Sequence, residues 1–163
     1  MSDRGYGFLF RSIGPLAPLR YGALWFAAMT GWPRYVVGLS SGGPDHYYKN
    51  YDFVAASKAV METMCRYLSY RLFDEDIRIN VVRSRLVRTE SLRATFGRDF
   101  EAFAERFNMK RQFISEEEVA NSILALCSGL MDGVRGQVLM VDRGTTFFDN
   151  LMRLYNERDS LDI

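Results

Sequence analysis

The hydrophobic positions of this chain switch between two spacings as it is read from one end to the other. Arg34 to Leu39 (RYVVGL) is a short, unbroken apolar run rich in β-branched and aromatic residues, which predicts a buried strand. A polar Gly/Pro/Asp loop, Ser40 to Lys49, follows it. Asn50 can cap a helix running to about Phe73, with Phe53, Val60, Met61, Met64 and Leu68 on its apolar side. Ile77 to Val82 (IRINVV) predicts a second strand. Glu90 to Phe107 reads as helix broken at Gly97, and Ser115 with Glu118 forms a capping box for a helix ending near Ser128. Gln137 to Val141 (QVLMV) predicts a third strand and Thr145 to Asn156 a last helix. Ahead of these, Pro15 to Thr30 suits a helix opening with prolines, a position proline tolerates. Residues 1–14 read as an irregular segment. Strands alternating with helices of this length imply βαβ units, a parallel sheet and an α/β fold.

Composition narrows the classes of function. A chain of 163 residues makes one domain or part of one, and with 48% hydrophobic and 14% aromatic residues it can build a core. A net charge of +1 gives no electrostatic case for nucleic acid or an anionic membrane surface. No segment reaches the roughly 20 apolar residues of a membrane span. The chain reads as cytoplasmic. His46, in the polar loop, is the single histidine, and Cys65 and Cys127 lie far apart within helical patterns, so neither a zinc site nor a histidine-based triad is expected. The two cysteines read as buried, reduced thiols.

The candidate chemistry centres on Tyr51 and Lys58. Seven helical steps of 100° nearly close a circle, so the two share a face, and the lysine leans back toward the tyrosine. A nearby ammonium favours the ionised form of a phenol, which suits the phenol to proton exchange near neutral pH.

Four blocks in order resemble the C-terminal half of a short-chain dehydrogenase/reductase. RYVVGLSS (34–41) resembles the strand that ends in the family's catalytic serine. YDFVAASK (51–58) resembles its active-site helix, and DIRINVVRSRLVRT (76–89) the segment after that helix, with Asn80 in place. EEEVANSILALCSGLMDGVRGQVLMVDRG (116–144) resembles its closing helix and strand. Ser41 stands seventeen positions before Lys58, as in the family, and the Tyr-six-Lys spacing is similar to that of the enoyl-acyl carrier protein reductases. The resemblance implies a partial Rossmann-like doubly wound sheet holding the equivalents of strands five to seven. It implies that Tyr51 polarises a substrate oxygen, Lys58 binds the cofactor ribose, and Ser41 donates a second hydrogen bond to a developing enolate. Tyr47 and Tyr48 are alternative donors. Val87 and Thr89 fall where the family holds the nicotinamide of NADH or NADPH.

The chain also departs from the family. No glycine turn of the dinucleotide-binding kind follows a strand, Ser84-Arg85 replaces a Pro-Gly pair in the cofactor segment, and Arg143-Gly144 replaces Gly-Gly. The first four strands of the family are expected to be missing, leaving a bare sheet edge that invites pairing with another chain unless residues 1–33 cover it. An oligomer is therefore expected, through helix 50–73 and that edge. Its partner could be a second copy, a full-length paralogue or a nucleotide-binding half that holds most of the cofactor. Residues 90–112 carry Arg93, Arg98, Arg106, Lys110 and Arg111 among four phenylalanines, which reads either as a basic-rimmed lid for an acyl carrier protein or coenzyme A thioester, or as an ordinary amphipathic helix pair. Two functions follow: a reductase of enoyl or keto thioesters, or a non-catalytic subunit that stabilises an active paralogue.

Overall fold

The computed structural model describes residues 25–28, 34–97, 99–107 and 113–161. β1 (Trp25–Ala28), β2 (Arg34–Ser41), β3 (Ile77–Ser84) and β4 (Val138–Val141) form one sheet in that order. β2, β3 and β4 run parallel, in registers that pair Val37 with Asn80 and Val82 with Leu139. α1 (Asp52–Arg71) connects β2 to β3. α2 (Glu90–Phe96), α3 (Phe100–Phe107) and α4 (Glu116–Cys127) lie between β3 and β4, and α5 (Asn150–Leu161) ends the described chain. This is the expected α/β class: a three-stranded parallel sheet of partial Rossmann-like form.

β3 is apolar on both faces because helices cover both. Ile79 and Val81 pack under Met61, Cys65 and Leu68 of α1. Val82 turns the other way and joins Val37, Ile114, and Val119 and Leu126 of α4. Each such side chain, fully buried, contributes about 1.5–3 kcal/mol. Three polar residues, Arg78, Asn80 and Arg83, are buried in the strand, and Asn80 is the most buried of them. Its amide donates to the Val134 carbonyl at 2.7 Å and accepts from the Gln137 N–H at 3.1 Å, pinning the chain as it enters β4. Cys65 is fully buried, and burial pushes its thiol up to about 12, so it stays protonated.

The structure redraws several expected elements. Trp25–Ala28, expected within a helix from Pro15 to Thr30, is a strand antiparallel to Tyr35–Gly38 of β2. The hydrogen-bonding groups along that side of β2 outweigh local helix preference. The edge expected to be bare is thus paired over those residues. The rest of that helix and the irregular segment 1–14 lie outside the described residues. β2 continues through Ser40 and Ser41, which were expected in the loop. Tyr51, not Asn50, sits at the N-cap of α1, with φ −114° and no side-chain cap bond. Asn50 adopts φ 61°, a left-handed conformation asparagine tolerates. The helix stops at Arg71 rather than Phe73, and on its expected apolar side Phe53 (78% exposed) and Val60 (47%) face outward. The last helix begins at Asn150 instead of Thr145. The Asp142 carboxylate takes the N–H groups of Gly144 (2.9 Å) and Thr146 (2.8 Å) into a tight turn, and Asp149 accepts from Leu151 and Met152 to start α5. Among the described residues no helix is long and apolar enough to cross a membrane.

The break at Gly97 forms as expected, at φ 90°. So does the capping box: the Ser115 hydroxyl accepts from Glu118 N–H at 3.2 Å and the Glu118 carboxylate from Ser115 N–H at 2.8 Å. Glu118 also holds Arg143, which stands at φ 53° where a glycine would be unstrained. That conformation costs an arginine about 1–2 kcal/mol, and the ion pair offsets part of it.

Two outcomes test this account of α4. Ser115→Ala should lower stability to denaturant by about 1 kcal/mol. The hydrogen bond from Arg143, then that from Ser115 N–H, hold the Glu118 carboxyl below its ordinary value of 4.5. A depressed carboxyl contributes stability that is present above that ordinary value and lost as pH falls through the folded one. Glu118→Gln keeps a capping side chain but not the charge. The gap between wild-type and Glu118→Gln denaturation midpoints should therefore be open at neutral pH and close in acid; a gap independent of pH would refute the electrostatic account.

Candidate active site

Parallel β-strands bring their C-terminal ends to one edge of the sheet, and ligands of such sheets bind outside that edge. Ser41 and Ser84 end β2 and β3 there, in register with each other. Gly42 and Gly43 follow Ser41 and allow a close approach. A Cβ on Gly42 would stand 2.6 Å from the Tyr48 hydroxyl, and one on Gly43 would stand 2.9 Å from Ala55 Cβ and 3.0 Å from the Tyr51 ring. The tyrosines can therefore fold back over the strand end. The Tyr51 hydroxyl donates to Ser41 Oγ at 3.2 Å, and Gly43 N–H donates to the same oxygen at 3.4 Å. With both lone pairs so used, Ser41 keeps its own O–H to donate. Tyr48 meets Tyr51 edge-on, ring centres 5.6 Å apart, and Phe96 at 6.1 Å.

These groups open onto a cavity of about 580 Å³, within the size range of small-molecule sites. Ser41, Tyr48 and Tyr51 line one side, and Leu39, Val87, Val119 and Ile123 supply apolar wall. Thr89 lines it too. Its Oγ1 caps α2 by accepting from Leu92 N–H at 3.1 Å, which leaves its hydroxyl proton for another partner. Four of the five expected site residues, Ser41, Tyr51, Val87 and Thr89, thus meet at one cavity.

Lys58 does not line it. Its Nζ donates to the Leu39 carbonyl at 2.8 Å, and the residue is 8% exposed. Burial lowers its pKa, and the Glu62 carboxylate one turn along the helix opposes that. Lys58 and Tyr51 nevertheless address the same strand end, two residues apart on β2. Tyr47 is 89% exposed, so of the two alternative donors only Tyr48 reaches the cavity. Two residues of the expected basic rim have partners of their own. Arg93 pairs with Glu101 at 2.9 Å, and Arg106 stacks on Phe107 and donates to the Leu161 carbonyl. Arg98, Lys110 and Arg111 lie outside the described residues.

Sequence reasoning missed the polar cluster behind the cavity. Glu62 (4% exposed) is held in a two-pronged contact by Arg83 (7% exposed), Ser40 donates to Glu62, and Arg83 also reaches Asp45 in the loop. Burial raises the pKa of the Glu62 carboxyl, with the Ser40 hydroxyl opposing, and burial lowers that of Arg83. Burial works against the charge of each group, and the two-pronged contact offsets that cost. A signal was present. An arginine inside the apolar strand IRINVVRS and a glutamate on the buried side of a helix each demand a partner.

The serine at a strand end, the tyrosine at the next helix start and the lysine within it define a protein of the short-chain dehydrogenase/reductase class. The fold agrees. The chain is similar to a 7α-hydroxysteroid dehydrogenase solved with NADH (TM-score 0.62, 24% identity, 68% of this chain and 44% of the other). It is also similar to a 3-oxoacyl-[acyl-carrier protein] reductase from Brucella melitensis solved with NAD (TM-score 0.63, 23% identity, 74% and 48%). Within that class, residues 24–146 match the family described as enoyl-(acyl carrier protein) reductase, and the chain belongs to it. It is 33% identical over 110 residues to the NADH-dependent enoyl-[acyl-carrier-protein] reductase of a Nostoc species, covering 67% of this chain and 43% of the relative. The Escherichia coli K12 enzyme of the same name is 33% identical over 109 residues, covering 65% and 41%. The chain spans less than half the length of these curated relatives.

The buried pair has a measurable signature. Arg83→Met strips the buried Glu62 of its ion-pair partner and should destabilise by about 3–5 kcal/mol; Glu62→Leu, which leaves Arg83 its contact with Asp45, should cost less, and the double variant should recover much of the Arg83→Met loss. Additive losses in a double-mutant cycle would show that the two groups act separately.

Proposed function

We propose that this chain forms the substrate and nicotinamide side of an NAD(P)H-dependent reductase of enoyl or keto thioesters, within an oligomer. The observation that carries the proposal is the Tyr51–Ser41 hydrogen bond at the mouth of a largely apolar cavity that Val87 and Thr89 also line. Two hydroxyl donors side by side suit a carbonyl oxygen that gains negative charge. On substrate binding Tyr51 would turn its one O–H from Ser41 to the thioester oxygen, Ser41 would donate beside it, and the apolar wall would hold the acyl chain and keep water out. Bound NADH or NADPH supplies the hydride. Val87 and Thr89 suit its nicotinamide end, an apolar flank with one hydroxyl for the amide, and Lys58 is the ribose candidate. Nothing in the sequence offers a glycine cradle for its phosphates. A partner that supplies one accords with this, as do Phe53, Tyr67 and Tyr70, which stand exposed on α1 for an oligomer contact. The thioester would be carried by an acyl carrier protein or coenzyme A.

A non-catalytic role, stabilising a full-length paralogue, has its own support. Lys58 is bonded to the Leu39 carbonyl and does not line the cavity, and Arg85 lines the cavity where the family carries Pro-Gly.

The test is turnover of 2-butenoyl-coenzyme A, followed by NADH or NADPH loss, for the protein alone and with a full-length paralogue. Tyr51→Phe should lower kcat by about 100-fold or more with cofactor binding retained. Unchanged turnover in the assembled complex would sink the catalytic reading and favour the supporting one.

A further inference from the structure

The cavity contains one cation that carbonyl reduction does not call for. Arg85 lines it beside Ser84, Leu86 and Val87, and its Nε is buried with no hydrogen-bond partner. Arg78 and Arg135 each also leave one buried nitrogen unpartnered, but their guanidiniums are ion-paired, to Asp76 and Asp132 and to Asp76, as Arg83 is to Glu62 and Asp45. Among the described residues no carboxylate lies within ion-pair distance of Arg85. Asp142 lies beyond ion-pair distance, its carboxylate turned to the Gly144 and Thr146 N–H groups. Glu116, also on the cavity lining, is exposed and makes no bond to it. A buried donor without an acceptor is costly, and such donors are rare in folded proteins unless a water, an ion or a ligand completes them.

We propose that the cavity binds an apolar molecule ending in an oxyanion, with the anion on the Arg85 guanidinium. The planar fork of an arginine matches a carboxylate or a phosphate monoester. The tail would lie along Leu39, Val87, Val119 and Ile123. The low dielectric of those walls strengthens the attraction to the anion. This inference goes beyond the reductase reading and does not rest on it, because binding is read without cofactor or turnover.

Calorimetric titration with octanoate, octyl phosphate and 1-octanol tests it. The wild type should bind at least one of the anions about 10-fold tighter than the alcohol, and added salt should weaken only the anions. Arg85→Gln should abolish the preference while leaving 1-octanol binding unchanged, and Arg85→Lys should keep part of it. Tighter octanoate assigns a carboxylate ligand; tighter octyl phosphate assigns a phosphate monoester. If 1-octanol binds as tightly as both anions, or Arg85→Gln retains the preference, the proposal is overturned. The salt series on wild type decides the matter even if a variant fails to fold.

Discussion

Arg83 and Glu62 tie together pieces of chain that are far apart in sequence. Arg83 ends the buried run of β3, Glu62 faces it from α1, Ser40 joins from β2, and Asp45 reaches in from the loop. Charges this well buried are stable only when each oxygen and each N–H finds its counterpart, so the cluster tolerates little displacement. The loop anchored by Asp45 carries Tyr48 and leads directly into Tyr51. The position of both rings over Ser41 therefore depends on an ion pair that itself never touches the cavity.

The cavity combines two environments that would disfavour each other in water. Hydroxyls gather at the strand end, where Gly42 and Gly43 let tyrosine rings lie close to the backbone. Aliphatic side chains from β2, α4 and the segment after β3 form the remaining wall. Such a site suits a carbonyl attached to an apolar chain. Arg85 on the same lining distinguishes it from a site built for a neutral molecule alone, and it stands where the family carries Pro-Gly. Arg143, the other departure, has a different resolution: it accepts a left-handed backbone and is held by Glu118. One substitution changes what the cavity presents, and the other is absorbed by the scaffold.

The sheet shows how backbone demand overrides local preference. β2 offers hydrogen-bonding groups on the side away from β3, and Trp25–Ala28 satisfies four residues of it by antiparallel pairing. That pairing adds a strand of opposite direction to an otherwise parallel sheet.

By itself the sequence determined the parallel strands, the intervening helices, the break at Gly97 and the capping box at Ser115. Each rests on features of residues within a few positions of one another: short apolar runs rich in β-branched side chains, a glycine at positive φ, a hydroxyl three residues before a carboxylate. Ser41, Tyr51, Val87 and Thr89 were legible as site candidates because their spacing resembles that of a known family. Only the tertiary structure decided that Trp25–Ala28 is a strand, that Tyr51 caps α1 instead of lying within it, and that Lys58 bonds to Leu39. The pairing of Glu62 with Arg83 and the solitary position of Arg85 were decided there too. Hydrogen-bond partners across a sheet and counter-charges in a core are chosen by proximity in space, and residues from seven positions apart (Ala28 and Tyr35) to twenty-one (Glu62 and Arg83) acquire that proximity only when the chain has folded.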